Sequence, residues 1–238
     1  MNSTRYPGKV LHLIDNKPLL KHLVDRVKKS KKIDKIIVIT STNELDNRIN
    51  DFCSENNINC FRGNEDDVLD RMASSLKANT SKFSMVIYGD CPFIDYKIVD
   101  YIIDQFFINS DDYDFIGNNL KTSYPPGMEV EVFKTEAIHK ANELCKDYSI
   151  REHGTLFIRL NPQIFKIKNI YAPKLFNRPD LSLEVDSPED IVLAEKIINN
   201  FKDSTYYDLN DMIKYLDTNP SIKKINSKVR RLWKKYRD

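Results

Sequence analysis

The chain has 238 residues, which is enough for one sizeable α/β domain with a smaller addition. Its 37 lysines and arginines nearly balance its 35 aspartates and glutamates, so the overall charge gives no reason to expect nucleic acid as a partner. No apolar run is long enough for a membrane span, and the 4 cysteines lack metal-ligand spacing, so we expect a cytoplasmic protein with reduced thiols.

Helices and strands alternate in the first half of the predicted structure. Residues 17–30 predict a helix because leucines and valines recur on one face, and residues 35–40, KIIVIT, predict a strand buried on both sides. The same alternation continues through INCF, DDVLDRMASSLKA, MVIYGD and YKIVDYIIDQFFINS. It is typical of an α/β fold with a mostly parallel central sheet and helices on both faces.

The pattern changes after about residue 112. The segments EVEVF, FKIKNIYA and LSLEV predict strands separated by irregular connections, which indicates a mixed or antiparallel part beside the site. Residues 187–201 then predict a helix with a capping box, in which Ser187 is the N-cap and Asp190 is the N3 residue. We therefore place one domain at residues 1–202 and a helical, basic C-terminal appendage at residues 203–238.

The segment STRYPGK near the start of the chain carries groups that suit a polyphosphate. Ser3 offers a hydroxyl group, and Arg5 and Lys9 offer charge-assisted donors. The turn at Gly8 allows a close approach of the backbone. The alternative is an ordinary solvated terminus, which a polar stretch of this kind often forms.

Two aspartates each follow a predicted buried strand. Asp90 ends the segment MVIYGD, and Asp186 ends LSLEVD. Open α/β sheets bind ligands at the carboxyl ends of their strands, so both carboxylates are placed to face such a site. If they meet, they suit Mg²⁺, which binds through one or two carboxylates plus substrate phosphates. The alternative is helix capping, a role for which Asp95 and Asp190 are already placed.

The sequence also contains eight ordered blocks of a more specific kind: NSTRYPGKVL, KPLLKHLVDRV, TSTNELDNRI, FRGNEDDVLDR, YGDCPFID, YPPGMEVEVF, REHGTLFIR and EVDSPEDI. In this order they resemble the spore coat polysaccharide biosynthesis branch of the cytidylyltransferases. They are similar, more distantly, to the enzymes that make CMP-sialic acid and CMP-Kdo. The resemblance covers residues 1 to about 200.

The resemblance implies a Rossmann-like, glycosyltransferase-A-type nucleotide-diphospho-sugar transferase fold. It implies transfer of CMP from CTP to an acidic sugar, of the nonulosonate or Kdo kind, with release of pyrophosphate and with Mg²⁺ as cofactor. Members of that family begin with an apolar strand ahead of the phosphate loop, so we expect the first strand of the sheet to be missing from this sequence. A homodimer is also expected from the relatives.

The resemblance further assigns residues to three parts of a site. The catalytic group is Arg5, Lys9, Asp90 and Asp186, of which Asp90 and Asp186 would hold the metal ion. The nucleotide side is Ser3, Gly8, Ser41, Asn43, Gly63 and Arg71, and the sugar side is Glu129, Glu131, Arg151 and His153. Whether His153 acts as a base or is a hydrogen-bonded structural residue stays open.

Alternatives remain for the C-terminal appendage and for the function. A basic segment with Trp233 and Tyr236 interleaved is able to contact nucleic acid or anionic lipid, but we expect it to pack against the body or a second subunit. The alternatives to a cytidylyltransferase are a glycosyltransferase that uses a nucleotide sugar and a shortened, non-catalytic binding protein. The first of these usually has a D-x-D-like pair, and YGDCPFID offers a single acid at that place.

Overall fold

The computed structural model describes residues 6–236. Ser3 and Arg5, both assigned to the phosphate loop, lie outside the described residues. The helices are α1 (Leu19–Val27), α2 (Asn47–Glu55), α3 (Val68–Asn79), α4 (Tyr96–Ile108), α5 (Thr135–Leu144), α6 (Tyr148–Arg151), α7 (Leu156–Leu160), α8 (Pro188–Asn200), α9 (Leu209–Thr218) and α10 (Pro220–Lys223). The strands are β1 (Leu13–Ile14), β2 (Lys17–Pro18), β3 (Ile37–Ser41), β4 (Asn59–Gly63), β5 (Phe83–Val86), β6 (Phe115–Gly117), β7 (Glu131–Lys134) and β8 (Ile167–Asn169).

Helix α1 shows how closely the apolar pattern predicts burial. The side chains that recur on one face of the helix are the ones that enter the core, namely Leu19, Leu20, Leu23, Val24 and Val27. The helix begins later than predicted because Pro18, in extended backbone, occupies the N-cap position. The predicted helix over 17–30 is therefore confirmed, with shorter bounds.

The strands do not form one mostly parallel sheet. Within residues 6–236, β1 and β2 pair as an antiparallel ribbon, β3 and β4 pair as a separate parallel ribbon, and the larger sheet has the order β5-β7-β6-β8. In that sheet β6 and β8 are parallel, while β7 runs antiparallel to both β5 and β6. The predicted mostly parallel sheet is thus not confirmed. The first residue of β7 lies beside the last residues of β5 and β6, so β7 runs in the opposite direction.

Because β7 is antiparallel, its first residue, Glu131, lies at the edge of the sheet where β5 and β6 end. Glu131 is the first residue of β7 and pairs with both Val86 and Gly117, the last residues of β5 and β6. The strand therefore delivers a carboxylate to the same edge from which the chain continues to Asp90. An alternating helix and strand pattern could not show this, because it contains no information on strand direction.

Helix α8 has the predicted capping box. The side chain of Ser187 accepts from the backbone N–H of Asp190, and the carboxylate of Asp190 accepts from the backbone N–H of Ser187. Pro188 occupies the first helical position, where its missing N–H costs no hydrogen bond. The helix begins immediately after Asp186 for these reasons.

Residues after 203 pack against the main body. Leu209, Met212 and Leu216 of α9 are buried in the larger of two hydrophobic clusters. Asp95, the N-cap of α4, accepts hydrogen bonds from the backbone N–H of Leu209 and from the hydroxyl of Tyr206. The predicted division at residues 202 and 203 stays a prediction. Across residues 6–236, none of the helices has the length and hydrophobicity needed to span a membrane.

Candidate active site

The amino group of Lys9 lies between the carboxylates of Asp90 and Asp186. Its Nζ atom is 2.9 Å from Asp90 Oδ2 and 2.6 Å from Asp186 Oδ1. All three side chains are partly or largely buried, and the Asp90 carboxylate is the most exposed of them. Two acids that are far apart in the sequence therefore meet on one cation.

The turn at Gly8 directs Lys9 toward these acids. Gly8 has a φ of 74°, in the left-handed region, and forms the N-cap of the single 3₁₀ turn Lys9–Leu11. The backbone N–H of Leu11 donates to the carbonyl oxygen of Gly8 over 2.9 Å. The Tyr6 hydroxyl and His12 Nδ1, 2.8 Å apart, close the same loop with a side-chain hydrogen bond.

The main chain also joins the two acid-bearing segments. The backbone N–H of Val185 donates to the carbonyl oxygen of Asp90 over 2.8 Å. The N–H of Asp186 donates in turn to Oδ2 of Asp190, at 2.9 Å, inside the first turn of α8. The positions of both carboxylates are therefore set by backbone hydrogen bonds as well as by Lys9.

The charge state of this cluster suits phosphate chemistry. Burial lowers the pKa of Lys9, but the attraction of Asp90 and then of Asp186 outweighs it, so the pKa of Lys9 is raised above its ordinary value. Lys9 is a cation at neutral pH. Two carboxylates around a positive charge form a donor set of hard oxygens that fits Mg²⁺.

A metal ion would need further ligands here. Among the residues described, no group of three or more His, Cys, Asp and Glu side chains is arranged to hold a metal ion. Protein sites for Mg²⁺ often supply one or two carboxylates and take the remaining ligands from phosphates and water. The Asp90 and Asp186 pair therefore fits a metal ion that is held jointly with a phosphorylated substrate.

Two buried glutamates lie beside this cluster. Glu129 Oε2 accepts from the backbone N–H of Gly127 over 2.7 Å, and Glu184 Oε1 accepts from the indole N–H of Trp233 over 2.5 Å. Burial raises the pKa of Glu184 to about 8, and repulsion by neighbouring carboxylates, Glu129 first, adds to this effect. Glu184 is therefore largely protonated at neutral pH. Glu129 was assigned from the sequence, whereas Glu184 was not.

The predicted nucleotide-side residues Ser41, Asn43, Gly63 and Arg71 meet at the carboxyl ends of β3 and β4. Ser41 and Gly63 pair in register as the last residues of these strands. Asn43 Nδ2 donates to Glu65 Oε2 over 2.7 Å, and Arg71 NH1 donates to the Glu65 carbonyl oxygen over 3.1 Å. A Cβ atom on Gly63 would lie 2.8 Å from Arg71 Cγ, so this close packing uses a glycine. The structure thus brings these four together.

Glu131 is buried within a polar network. Its carboxylate accepts from Asn119 Nδ2 over 2.5 Å and from the Thr155 hydroxyl over 2.7 Å. Arg159 NH1 lies 3.8 Å away, and the hydroxyl of Tyr88, two residues before Asp90, lies at 3.4 Å. Glu131 is fully buried, and its carboxylate contacts Asn119, Thr155, Arg159 and Tyr88.

Arg151 and His153 have different surroundings although only one residue lies between them. Arg151 Nε donates to Asp67 Oδ2 over 2.7 Å, and its NH1 donates to the carbonyl oxygens of Asn142 and Cys145. These contacts place Arg151 among α3, α5 and α6. Burial lowers the pKa of His153, and the nearby positive charge of Arg159 lowers it further, so His153 is largely neutral at pH 7.

Two residues near the end of the chain, Arg231 and Trp233, contact the segment around Asp186, and the sequence did not predict this. Arg231 NH2 lies 2.6 Å from Asp190 Oδ1, and Trp233 donates to Glu184. A weak signal existed, because Glu184 is two residues before Asp186 in a strand-like segment. Nothing in the local sequence could identify its partner near the end of the chain.

The structure thus brings Lys9, Asp90 and Asp186 together within an α/β framework. Residues 1–225 match the family model described as cytidylyltransferase, and the chain therefore belongs to the cytidylyltransferase family. It is accordingly an enzyme of the nucleotidyltransferase class. The resemblance found in the sequence blocks is confirmed by this match.

Individual relatives agree with the family. The spore coat polysaccharide biosynthesis protein SpsF of Bacillus subtilis (strain 168) is 30% identical over 225 residues, which cover 92% of each chain. The 3-deoxy-manno-octulosonate cytidylyltransferase of Thermodesulfovibrio yellowstonii is 30% identical over 245 residues, which cover 84% of this chain and 95% of the relative. A cytidylyltransferase structure from Leptospira borgpetersenii has a TM-score of 0.88 at 27% identity and covers 93% of this chain and 92% of its own. These matches confirm a Rossmann-like nucleotidyltransferase fold.

Proposed function

We propose that this protein transfers CMP from CTP to an acidic sugar of the nonulosonate or Kdo kind and releases pyrophosphate. The observation that carries the proposal is the position of Lys9 Nζ between the carboxylates of Asp90 and Asp186. The family match supports the nucleotide, and the relative named 3-deoxy-manno-octulosonate cytidylyltransferase supports an acidic acceptor.

The proposed reaction is an in-line displacement at phosphorus. A hydroxyl oxygen of the sugar attacks the α-phosphorus of CTP and forms the new bond to CMP. The bond from that phosphorus to the oxygen bridging the β-phosphate breaks, and pyrophosphate leaves with the electron pair. The hydroxyl proton passes to solvent or to a neighbouring carboxylate. No covalent enzyme intermediate is needed, so positioning and charge neutralisation are the main tasks of the protein.

In this proposal the first task of Lys9 is to bind the triphosphate. Its cationic charge is secured by Asp90 and Asp186, and it lies in a glycine turn that allows phosphate oxygens to approach the backbone. Mg²⁺ bound by Asp90 and Asp186 would neutralise negative charge on the triphosphate and on the leaving pyrophosphate. Lys9 adds a second positive charge to the same phosphates.

Positive charge on the sugar side supports an acidic acceptor. Burial lowers the pKa of His153; the carboxylate of Glu152 opposes this shift, and the positive charges of Arg159 and Lys235 add to it. Arg159 is held beside the buried carboxylate of Glu131, and Glu131 contacts Tyr88 next to the acid-bearing loop. In the proposal these cations receive the sugar carboxylate, and His153 stays neutral beside them.

The remaining parts of the proposal rest on relatives. A role in surface or spore coat polysaccharide biosynthesis is supported by the similarity to SpsF. A cytoplasmic location and a homodimer are expectations from the sequence and its family resemblance. The proposed reaction does not require either of them.

Pyrophosphate release from CTP in the presence of a panel of nonulosonic acids and Kdo tests the proposal. Neutral sugars serve as acceptor controls, and ATP, GTP and UTP serve as nucleotide controls. D90N and D186N should each lower the rate by about 100-fold or more, whereas D180N, which removes an exposed acid paired with Arg178, should not. Absence of release with every acidic sugar, from a protein that binds CTP, would contradict the proposal.

A further inference from the structure

The carboxylate of Asp190 connects the C-terminal segment to the proposed metal-binding loop. Asp190 lies in the first turn of α8, and its Oδ2 accepts from the backbone N–H groups of Asp186 and Ser187, each over 2.9 Å. These two bonds fix the backbone that carries the Asp186 carboxylate. The orientation of Asp190 therefore helps to set the position of Asp186, together with the Val185–Asp90 backbone bond and Lys9.

Arg231 holds this carboxylate from the opposite side. Its NH1 donates to Asp190 Oδ2 over 2.8 Å, and its NH2 donates to Oδ1 over 2.6 Å. The side chains of Arg231 and Asp190 are only 5% and 1% exposed. A two-pronged, charge-assisted pair of this kind fixes geometry as well as charge. Asn226 Nδ2 adds a third contact to Oδ1, at 2.7 Å.

Helix capping does not account for Arg231. The capping box of α8 needs only Ser187 and the Asp190 carboxylate, and both of its hydrogen bonds are present. The capping box of α9 makes the same bonds with Asp208 and Asp211, and the cation that Asp208 pairs with, Lys97, lies at the surface. The capping box of α8 is therefore complete without Arg231, and the buried ion pair between Arg231 and Asp190 needs another explanation.

The same segment also contacts the chain on the other side of Asp186. Trp233 Nε1 donates to Glu184 Oε1, two residues before Asp186. Asn226 Nδ2 donates to the carbonyl oxygen of Ser182 over 2.9 Å. The segment 226–233 thus touches the chain that carries Asp186 both before this residue, at residues 182 and 184, and after it, at residue 190.

We propose that Arg231 is a positioning residue for the carboxylate of Asp186, and that residues 226–233 form a wall of the active site. The inference deepens the proposed function and rests on it in one respect, the role of Asp186 as a ligand for a divalent cation. Arg231 acts through Asp190 and does not itself contact the phosphates.

The test compares R231A and R231K with R178A, a matched control. Arg178 also makes a two-pronged pair with a carboxylate of the C-terminal part, Asp217, but at the surface. The first measurement is hydrogen exchange of the peptide that spans residues 184–190. R231A should raise exchange at the Asp186 and Ser187 amides at least tenfold, R231K should raise it less, and R178A should leave it unchanged.

The second measurement is the affinity for Mn²⁺ alone and for Mn²⁺ with CTP. R231A should weaken Mn²⁺ binding about tenfold, and guanidinium ion should restore part of it. In pyrophosphate release the concentration of Mg²⁺ for half-maximal rate should rise about tenfold, with a smaller change in kcat at saturating Mg²⁺. A purely structural role would lower the active fraction, and hence kcat, without changing that concentration.

The outcomes separate this inference from the proposed function. If no acidic sugar supports pyrophosphate release but Mn²⁺ affinity still depends on Arg231, the proposed reaction is wrong and the positioning role is retained. If Mn²⁺ affinity and amide exchange are the same in R231A and the wild type, the positioning role is overturned. Should R231A fail to fold, R231K decides the question, because wild-type exchange and Mn²⁺ affinity in that variant would also contradict it.

Discussion

The backbone N–H of Val185 donates to the carbonyl oxygen of Asp90, and this bond joins the two segments that carry the metal-binding acids of the proposal. The spacing of the two carboxylates is therefore set by the main chain, before any ion or substrate binds. Lys9 then occupies the space between them, with its Nζ 2.6 Å from Asp186 Oδ1. The backbone that carries the two carboxylates is therefore preorganised for a cation and a triphosphate, and in the proposal Lys9 moves from the space between the carboxylates to the phosphates.

Replacement of Lys9 by methionine should have opposite effects on metal and nucleotide binding. K9M leaves two partly buried carboxylates facing each other without a counter-charge, so the free energy of unfolding should fall by about 3 kcal/mol at neutral pH. The affinity for Mn²⁺ alone should rise, because the ion no longer competes with an internal ammonium group. The affinity for CTP should fall, because the triphosphate loses a cation. Thermal unfolding and calorimetric titration measure these changes.

The control for K9M is K17M. Lys17 pairs with Asp25 over 3.0 Å at the surface, so its loss should change the free energy of unfolding by less than about 1 kcal/mol. Weaker Mn²⁺ binding by K9M than by the wild type would show that Lys9 supports the metal site and does not compete for it.

Gly127 should not tolerate a side chain. Its φ is +103°, and a Cβ atom there would lie 2.6 Å from the backbone carbon of Leu183 and 2.7 Å from the nitrogen of Glu184. G127A should therefore lower the free energy of unfolding by at least about 2 kcal/mol, and the melting temperature by roughly 5 °C or more. The turn that holds Glu129 would be pushed away from the irregular segment that leads to Asp186.

Gly89 provides the matched control for this substitution. A Cβ atom at Gly89 would meet only Val10 Cγ1, at 3.6 Å, which is an ordinary contact. G89A should thus have a melting temperature close to that of the wild type. Equal melting temperatures for G127A and G89A would show that the two segments are free to separate.

Glu184 should make stability depend on pH. Its pKa is raised to about 8 by burial and by repulsion from Glu129, so between about pH 4.5 and 8 the folded protein binds more protons than the unfolded chain. The stabilisation from protonated Glu184 is complete below pH 4.5 and is lost as the pH rises through 8. E184Q removes this titration.

Thermal unfolding between pH 5 and 9 measures this difference. The melting temperature of E184Q minus that of the wild type should increase as the pH rises to about 8. Above that pH the difference should stay constant. Mutation of the exposed Glu55 to glutamine is the control and should leave the pH profile unchanged. A gap that shrinks with rising pH would mean that the ionised form of Glu184 is the favoured one.

Arg151 should matter for stability and not for the sugar. Its ion pair with Asp67 and its bonds to the carbonyl oxygens of Asn142 and Cys145 join α3, α5 and α6. R151A should lower the free energy of unfolding by about 3 kcal/mol, while the KM values for CTP and for the sugar stay within about twofold of wild type. R48A, which changes an exposed arginine, is the control. A tenfold rise in the KM for the sugar at unchanged stability would contradict this prediction and would show that Arg151 contributes to sugar binding.

The sequence predicted those features that depend on local chemistry. The apolar face of α1 and the capping box of α8 follow from neighbouring residues, and both are present as expected. The sequence placed Asp90 and Asp186 after predicted strands, where open α/β sheets bind ligands, but it could not show that the two acids meet. The strand predicted at residues 181–185 does not form, and the segment before Asp186 is irregular. The chemical roles of these two acids and of the nucleotide-side residues stay predictions.

The features that were missed depend on contacts between distant parts of the chain. The mixed or antiparallel part expected after residue 112 is present, because β7 is antiparallel to both β5 and β6. Which strands β7 joins depends on how the loop before Glu131 returns to the sheet, and no periodicity reports that. Asp190 had a sufficient explanation as a capping residue, so its pairing with Arg231 could not be foreseen. Arg151 was assigned to the sugar side by the family resemblance, and that assignment stays a prediction; its ion pair with Asp67 is a contact between distant parts of the chain that the sequence did not reveal.

The position of Mn²⁺ in a crystal of the protein with CTP, located by anomalous scattering, tests most directly whether Asp90 and Asp186 together hold the metal ion. We expect one strong peak within coordination distance of both aspartates and of the triphosphate, with Lys9 in contact with the phosphates. A peak bound to only one of the two aspartates, or to neither while CTP is present, would contradict it.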